Sequence, residues 1–185
     1  RPDRVAPLAI DAKPVRGLRA PRESAARADC LTRLEKGASL EGMALAGVDL
    51  SGIDFRERSL ARAVLTGARL EAANLARCNL TGALLDDADL TEADLTGAIL
   101  TRADASRAVL VDAKLDRAQL VDAVLEGVNA EGASFRSATG MRTILKGSSL
   151  VGAVFASASL DRADFTGATL DRADFTGATT LRGRF

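Results

Sequence analysis

Hydrophobic residues recur at every fifth position along most of this chain. Of the 28 positions divisible by five from Leu40 to Phe175, 25 hold Leu or Phe. A second column lies two positions before each of these, and 20 of its 28 positions from Ala38 to Ala173 hold Ala. No insertion interrupts the register, so the repeating unit of the chain is five residues.

Neither an α-helix nor a flat strand buries a five-residue period. Five residues turn a helix by about 140°, and they move a strand side chain to the opposite face of the sheet. Residues two apart in a strand share a face, so each unit is predicted to be a very short strand with Ala and Leu inward. The next two residues, often Thr and Gly as at Thr66 and Gly67, turn the chain. The pattern predicts a coil whose successive turns pair at about 4.8 Å.

The phenylalanines indicate how many sides the coil has. They fall into two sets whose members are separated by multiples of 20: Phe55, Phe135, Phe155 and Phe175 in one, Phe165 and Phe185 in the other. A four-sided coil of twenty residues stacks each set on one side, whereas a three-sided coil scatters them. The phenylalanine spacing therefore favours four sides.

The stretch ANLARCNLTGALLDDADLTEADLTGAIL resembles the pentapeptide-repeat family, whose motif is A(D/N)LXX. The resemblance covers roughly residues 38–180 and implies an all-β fold, a right-handed quadrilateral parallel β-helix of about seven coils. Arg58, in the small inward column, and Gly140 and Thr143, which interrupt both columns, depart from the motif. We expect local distortion there, because a buried unpaired charge is costly.

The residues before the repeats have a different composition. Residues 1–21 contain all four prolines and are predicted to be an irregular arm or linker. Residues 22–37 contain helix formers and end at Gly37, a plausible C-cap, so they are predicted to form a helix that caps the first coil of the β-helix at 38–185. Cys30 and Leu34 lie on its apolar face.

Composition and motifs offer little for catalysis. The 25 basic and 25 acidic residues balance, and His, the commonest general base, is absent. Cys30 and Cys78 are predicted to be buried, and the acidic run from Asp86 to Asp94 to be a solvated surface. We therefore predict no catalytic, metal or cofactor site and no enzyme activity. The chain contains no apolar run of membrane-spanning length, and two cysteines without a disulfide framework favour the cytoplasm.

One surface feature stands out. Taking every twentieth residue from Ala44 gives a column with five apolar members among seven: Ala44, Val64, Leu84, Asp104, Val124, Ile144 and Asp164. In a four-sided coil these residues share one side. An exposed apolar strip marks an interaction surface, so Val64, Leu84, Val124 and Ile144 are predicted to contact a protein partner.

The leading functional hypothesis is a non-enzymatic protein-binding scaffold that binds no nucleic acid. The family resemblance adds an alternative, because some pentapeptide proteins confer quinolone resistance by imitating DNA and occupying gyrase. GASLEGMALAGVDLSGIDF is also similar to the repeat entry of certain bacterial type VI secretion proteins, so a C-terminal structural module of a larger bacterial protein is a further alternative. Some family members dimerise end to end, and Phe165, Phe175 and Phe185 are predicted to form such a homodimer end.

Overall fold

The computed structural model describes residues 24–185, which form one α-helix followed by a four-sided coil. The predicted arm at residues 1–21 lies outside the described residues. Within residues 24–185, no helix has the length and apolar character needed to cross a membrane.

Helix α1 spans Ala25–Glu35 and is closed at both ends by the cap residues of its sequence. The Ser24 side chain accepts a hydrogen bond from the Arg27 N–H at 3.1 Å, which satisfies one of the helix's first amides. At the other end Gly37 has a φ of +64°. The Ala38 N–H donates to the Arg33 carbonyl oxygen at 2.8 Å, the hydrogen bond of a Schellman cap.

The coil is built from single-residue parallel bridges at every fifth residue. Each bridged residue pairs with the one 20 positions later, from Ala44 with Val64 to Asp164 with Arg184. Around each bridge the hydrogen bonds alternate between neighbouring turns: the Leu65 N–H donates to the Leu84 carbonyl oxygen at 2.7 Å, and the Leu84 N–H donates to the Ala63 carbonyl oxygen at 3.0 Å. Twenty residues per turn and five per side make the coil four-sided.

Two residues turn the chain between sides. The Ala63 N–H donates to the Leu60 carbonyl oxygen at 3.0 Å, which closes a β-turn over the two residues between them. The second of these, Arg62, has a φ of +58°, as the third position of a type II turn requires. Among residues 24–185, seventeen non-glycine residues occupy this left-handed conformation, and nine of them are Arg. The Gly residues expected from the sequence are thus a minority at this corner position.

Both columns point inward and form the core. The Leu and Phe column is buried from Leu40 to Phe165, and nearly all the Ala column from Ala63 to Ala163 is buried with it. The rings of Phe135 and Phe155 stack at 4.7 Å, which matches the spacing of paired strands.

Helix α1 packs on the first turn of the coil. Cys30 is fully buried in the same core cluster, and Leu34 packs partly against it. Arg58 is half-buried, and its Nη2 donates to the Leu34 carbonyl oxygen at 3.2 Å. A cation near a helix C-terminus is favourable, so this arginine tethers the helix to the coil.

The distortion expected at Gly140 and Thr143 does not interrupt the bridges. Thr139 pairs with Ser159 and Ile144 with Asp164 in unbroken register. The Thr143 hydroxyl lies 2.8 Å from the carbonyl oxygens of Leu120 and Gly140, and its single hydrogen is shared between them. The polar side chain is therefore satisfied inside the core.

Candidate functional site

One side of the coil carries mostly apolar residues at its bridged positions. Bridges join Val64 to Leu84 and Val124 to Ile144, and Asp104 pairs with both Leu84 and Val124. Leu84 is 42% exposed, and the other three apolar residues are half-buried. We call this column the apolar ladder; its members are Ala44, Val64, Leu84, Asp104, Val124, Ile144 and Asp164.

Wherever Asp or Asn occupies a bridged position, its side chain stabilises the turn that follows. The N–H of the first turn residue has no backbone acceptor among the hydrogen bonds of residues 24–185. All ten bridged Asp and Asn residues accept this N–H through a side-chain oxygen. Asp94 accepts from the Thr96 N–H at 2.9 Å, for example. These Asx turns give a physical reason for Asp or Asn at this position.

The same hydrogen bonds affect the acidity of the carboxyl groups. The Thr166 hydroxyl and N–H lower the pKa of Asp164, with smaller help from Arg184 and Lys146. The Thr176 hydroxyl and N–H likewise lower the pKa of Asp174. Each carboxylate is therefore better stabilised in the folded chain than in the unfolded one.

Asp104 and Asp164 of the apolar ladder make this bond, but its apolar members cannot. Val64, Leu84, Val124 and Ile144 have no side-chain acceptor for the turn amide. A neutral hydrogen bond contributes about 0.5–1.5 kcal/mol. The apolar ladder thus forgoes a local stabilisation that Asp or Asn would provide.

The acidic run is held in separate local contacts. Asp87 forms two hydrogen bonds with Arg107, at 2.8 and 2.7 Å, and Asp86 accepts from the Thr66 hydroxyl at 2.8 Å. Within residues 24–185, no group of three or more His, Cys, Asp or Glu residues is placed to hold a metal ion.

The two cysteines lie inside the protein as free thiols. Cys30 and Cys78 are both fully buried. Burial raises the pKa of Cys78 to about 12, and it also raises the pKa of Cys30. Both thiols are therefore protonated at neutral pH, and the thiolate needed for nucleophilic chemistry is not formed.

The C-terminal end of the coil exposes aromatic and aliphatic surface. Phe165 is buried and Phe175 is half-buried, whereas Phe185 is 65% and Leu181 70% exposed. The rings of Phe165 and Phe185 stack at 5.1 Å, and those of Phe165 and Phe175 meet edge to face at 5.7 Å. The three predicted end residues thus form one cluster.

A column of arginines beside the apolar ladder was missed in the sequence. It occupies the second turn position along one edge of the coil: Arg62, Arg102, Arg142, Arg162 and Arg182. The 20-residue period that aligns the bridged residues aligns these arginines as well. Met141, 41% exposed on the same edge, adds to the apolar surface.

A family model for pentapeptide repeats, with eight copies, matches residues 63–102, 88–127, 118–155 and 141–177. No curated protein matches the chain significantly.

Solved structures with similar chains include two pentapeptide-repeat proteins and a fluoroquinolone resistance protein. HetL, involved in heterocyst differentiation regulation in the cyanobacterium Nostoc sp. strain PCC 7120, is 29% identical over 80% of this chain and 78% of that one, with a TM-score of 0.31. A protein of the Arabidopsis thaliana thylakoid lumen is 34% identical over 62% and 69%, with a TM-score of 0.21. QnrB1, a plasmid-mediated fluoroquinolone resistance protein, is 18% identical over 75% and 77%, with a TM-score of 0.44.

Proposed function

The chain belongs to the pentapeptide repeat family, and we propose that it is a non-enzymatic rod that binds a protein partner through the apolar ladder. Proteins of this family form right-handed quadrilateral β-helices and are generally structural or binding proteins. For this chain we propose a right-handed rod of about seven coils, roughly 34 Å long at about 4.8 Å per coil.

The distribution of apolar residues over the four sides carries the proposal. Val and Ile favour strands by themselves, but strand preference would spread them evenly over all four sides. Bridges instead align Val64, Leu84, Val124 and Ile144 on one side, where each forgoes the hydrogen bond that Asp or Asn makes with the turn. A partner that covers these side chains would recover the free energy of burying them.

The chemistry of the remaining groups supports binding rather than catalysis. The thiols of Cys30 and Cys78 are buried and protonated, and the bridged carboxylates are held in their own turns. A DNA mimic needs an evenly acidic rod, and the arginines along one edge argue against that reading. We also propose a cytoplasmic location, in keeping with the two free thiols.

Photo-crosslinking from the apolar ladder tests the proposal. A benzoylphenylalanine at Leu84, in the full chain expressed in its native cell, should give one major adduct with a protein other than a second copy of this chain. The same probe at Val154, on another side of the coil, is the matched control and should not give that adduct.

A substitution provides the second arm of this test. Leu84→Asp places at the bridged position the residue that other repeats carry there, so the fold should be retained. It should abolish the adduct formed from a probe at Val124, whereas Val154→Asp should leave it intact. Equal crosslinking from both sides, or an adduct that is a second copy of the chain, would contradict the proposal. In purified gyrase supercoiling assays the protein should not inhibit, and inhibition would favour the DNA mimic.

We further propose that two copies join end to end at the cluster of Phe165, Phe175 and Phe185. The contact would be made by Phe175 and Phe185, which pack on the buried ring of Phe165. The last coil exposes ring surface and backbone groups that the other coils cover, and a two-fold contact is the commonest closed assembly. Light scattering at micromolar concentration should give a dimer, and Phe185→Asp should give a monomer. A monomeric wild-type protein would refute this arrangement.

A further inference from the structure

Four arginines line one shallow cleft where the apolar ladder reaches the C-terminal end of the coil. The cleft has a volume of about 360 Å³ and is lined by Arg142, Ile144, Arg162, Asp164, Arg182 and Arg184. Ile144 belongs to both the cleft and the apolar ladder, so the charged and apolar surfaces are continuous.

The repeat brings these arginines together. Arg142, Arg162 and Arg182 are second turn residues in successive coils, with φ values of +60°, +60° and +57°. Successive backbones are therefore about 4.8 Å apart along this edge. Like charges on the side chains of successive coils repel each other, so an anion placed between them would be attracted.

Two of the arginines have no anionic partner among residues 24–185. Arg142 is paired with Asp122 at 2.5 Å, and Arg184 lies 3.8 Å from Asp164. Arg162 and Arg182 are exposed and take part in no ion pair of the described part of the chain.

The nearby charges leave the cleft positive. Lys146 acts on Asp164 from the same surface, which brings the cationic groups to five. The anionic groups are three: Asp122, Asp164 and Asp161, whose carboxylate accepts the Leu181 N–H at 3.1 Å. Two positive charges are in excess.

We propose that this cleft binds the carboxylates of an acidic segment in the partner protein, whose apolar residues lie on Val124 and Ile144. This inference rests on the proposed function and specifies the chemistry of the partner. Arginine pairs with carboxylates through two parallel hydrogen bonds, and Arg162 and Arg182 are available to do so. A nucleic-acid backbone would match the charge but leave the adjoining apolar residues uncovered.

The spacing of the surface suits a helical segment. One helix turn advances 5.4 Å and one coil about 4.8 Å, so apolar residues on successive helix turns would meet successive coils. A helix could place two turns of apolar residues over Val124 and Ile144. Glutamates on its next two turns would then reach Arg162 and Arg182.

A labelled peptide tests this with the full chain. The first ligand is a fluorescein-labelled 18-residue amphipathic helix, the Glu peptide, with leucines in its first half and glutamates on the same face in its second half. The second ligand, the Gln peptide, has Gln in place of each Glu. The third ligand is an oligothymidine single strand. Fluorescence anisotropy at low salt should show the Glu peptide binding about tenfold more tightly than the Gln peptide. The oligothymidine should bind no better than the Gln peptide.

Matched charge reversals locate the site. Arg162→Glu/Arg182→Glu should remove the tenfold preference, whereas Arg117→Glu/Arg172→Glu should retain it. All four arginines are exposed second turn residues with positive φ, a position that Glu57 and Glu92 also occupy, so both variants should fold and carry the same net charge.

Each remaining outcome overturns the inference. The inference is wrong if the Glu peptide does not bind, if the Gln peptide binds as tightly as the Glu peptide, or if the Arg117/Arg172 variant also loses the preference for Glu. It is also wrong if only oligothymidine binds in a way that depends on Arg162 and Arg182. The proposed function is judged separately by the crosslinks from Leu84. If Leu84 crosslinks to a single partner but the Glu peptide binds no more tightly than the Gln peptide, only the proposal of an acidic ligand in the cleft is refuted. If the Glu peptide is preferred but that crosslink is absent, only the proposed function is refuted.

Discussion

Replacing Gly140 with Ala tests how tightly the core of one coil is filled. The φ of Gly140 is outside the left-handed region, so the backbone would accept Ala and gain about 0.4–1 kcal/mol through the unfolded state. A Cβ there would lie 2.6 Å from Thr143 Oγ1 and 2.8 Å from Leu160 Cδ2. Overpacking of this kind costs about 1–3 kcal/mol. We expect Gly140→Ala to lower the free energy of unfolding by about 1–2 kcal/mol, since the steric cost exceeds the entropic gain.

A second substitution identifies the clash. Thr143→Ala removes the hydroxyl whose hydrogen is shared between two carbonyl oxygens and should cost about 1 kcal/mol. It also removes one of the two atoms that the new methyl group would meet. The double variant should therefore lose less than the sum of the single losses, by at least about 0.5 kcal/mol.

Urea denaturation followed by far-ultraviolet circular dichroism measures these differences, because the chain has no Trp or Tyr to report by fluorescence. Gly147→Ala is the control: nothing lies within 4 Å of its Cβ, and its φ is +65°. It should lose about 1 kcal/mol through backbone strain alone and show no coupling with Thr143→Ala. A Gly140→Ala protein as stable as the wild type, or single losses that simply add, would refute the packing argument.

Three further predictions concern stability. Leu95→Ala should cost about 2–5 kcal/mol by opening a cavity and Thr96→Ala under about 0.5 kcal/mol; equal losses in urea would contradict the inward assignment of the Leu column. Removing residues 1–37 should lower the melting temperature, because it uncovers the surface under Cys30, whereas removing 1–20 should not; identical melting curves would mean that α1 is no cap. Hydrogen bonds hold the pKa of Asp164 and of Asp174 below the ordinary 3.8, so their stabilisation is present above about pH 4 and lost as pH falls through the lowered pKa values. An Asp174→Asn protein should lose less stability between pH 5 and pH 2.5 than the wild type, and an unchanged acid transition would speak against this linkage.

The four-sided coil could be predicted because the spacings that specify it can be read directly from the sequence. A period of five excludes both regular elements, and the spacing of the phenylalanines indicates 20 residues per turn. The same reasoning places Val64, Leu84, Val124 and Ile144 in one column, which the bridges confirm. Their role in binding remains a prediction.

Other features depend on three-dimensional placement that the sequence pattern does not show. The partner of Arg58 is a carbonyl oxygen of α1, 24 residues earlier in the chain, and no spacing rule connects the two. The Asx role of the bridged Asp and Asn residues was missed because the pattern indicates only that these side chains are polar and outward. The 20-residue period also aligns Arg162 and Arg182, but the cleft that they line with Ile144 and Asp164 depends on how the side chains are placed at the corner.

The pairing of each bridged residue with the one 20 positions later also restricts how such a chain can change length. An insertion of five residues keeps every Leu inward, yet it moves all later residues by one side, a quarter turn around the rod. Inserted between Asp104 and Val124, it would separate Val64 and Leu84 from Val124 and Ile144 while leaving the core intact. Only an insertion of 20 residues preserves both core and surface. The fold therefore tolerates insertions of any multiple of five residues, whereas a recognition surface along the rod is preserved only by insertions of a multiple of 20.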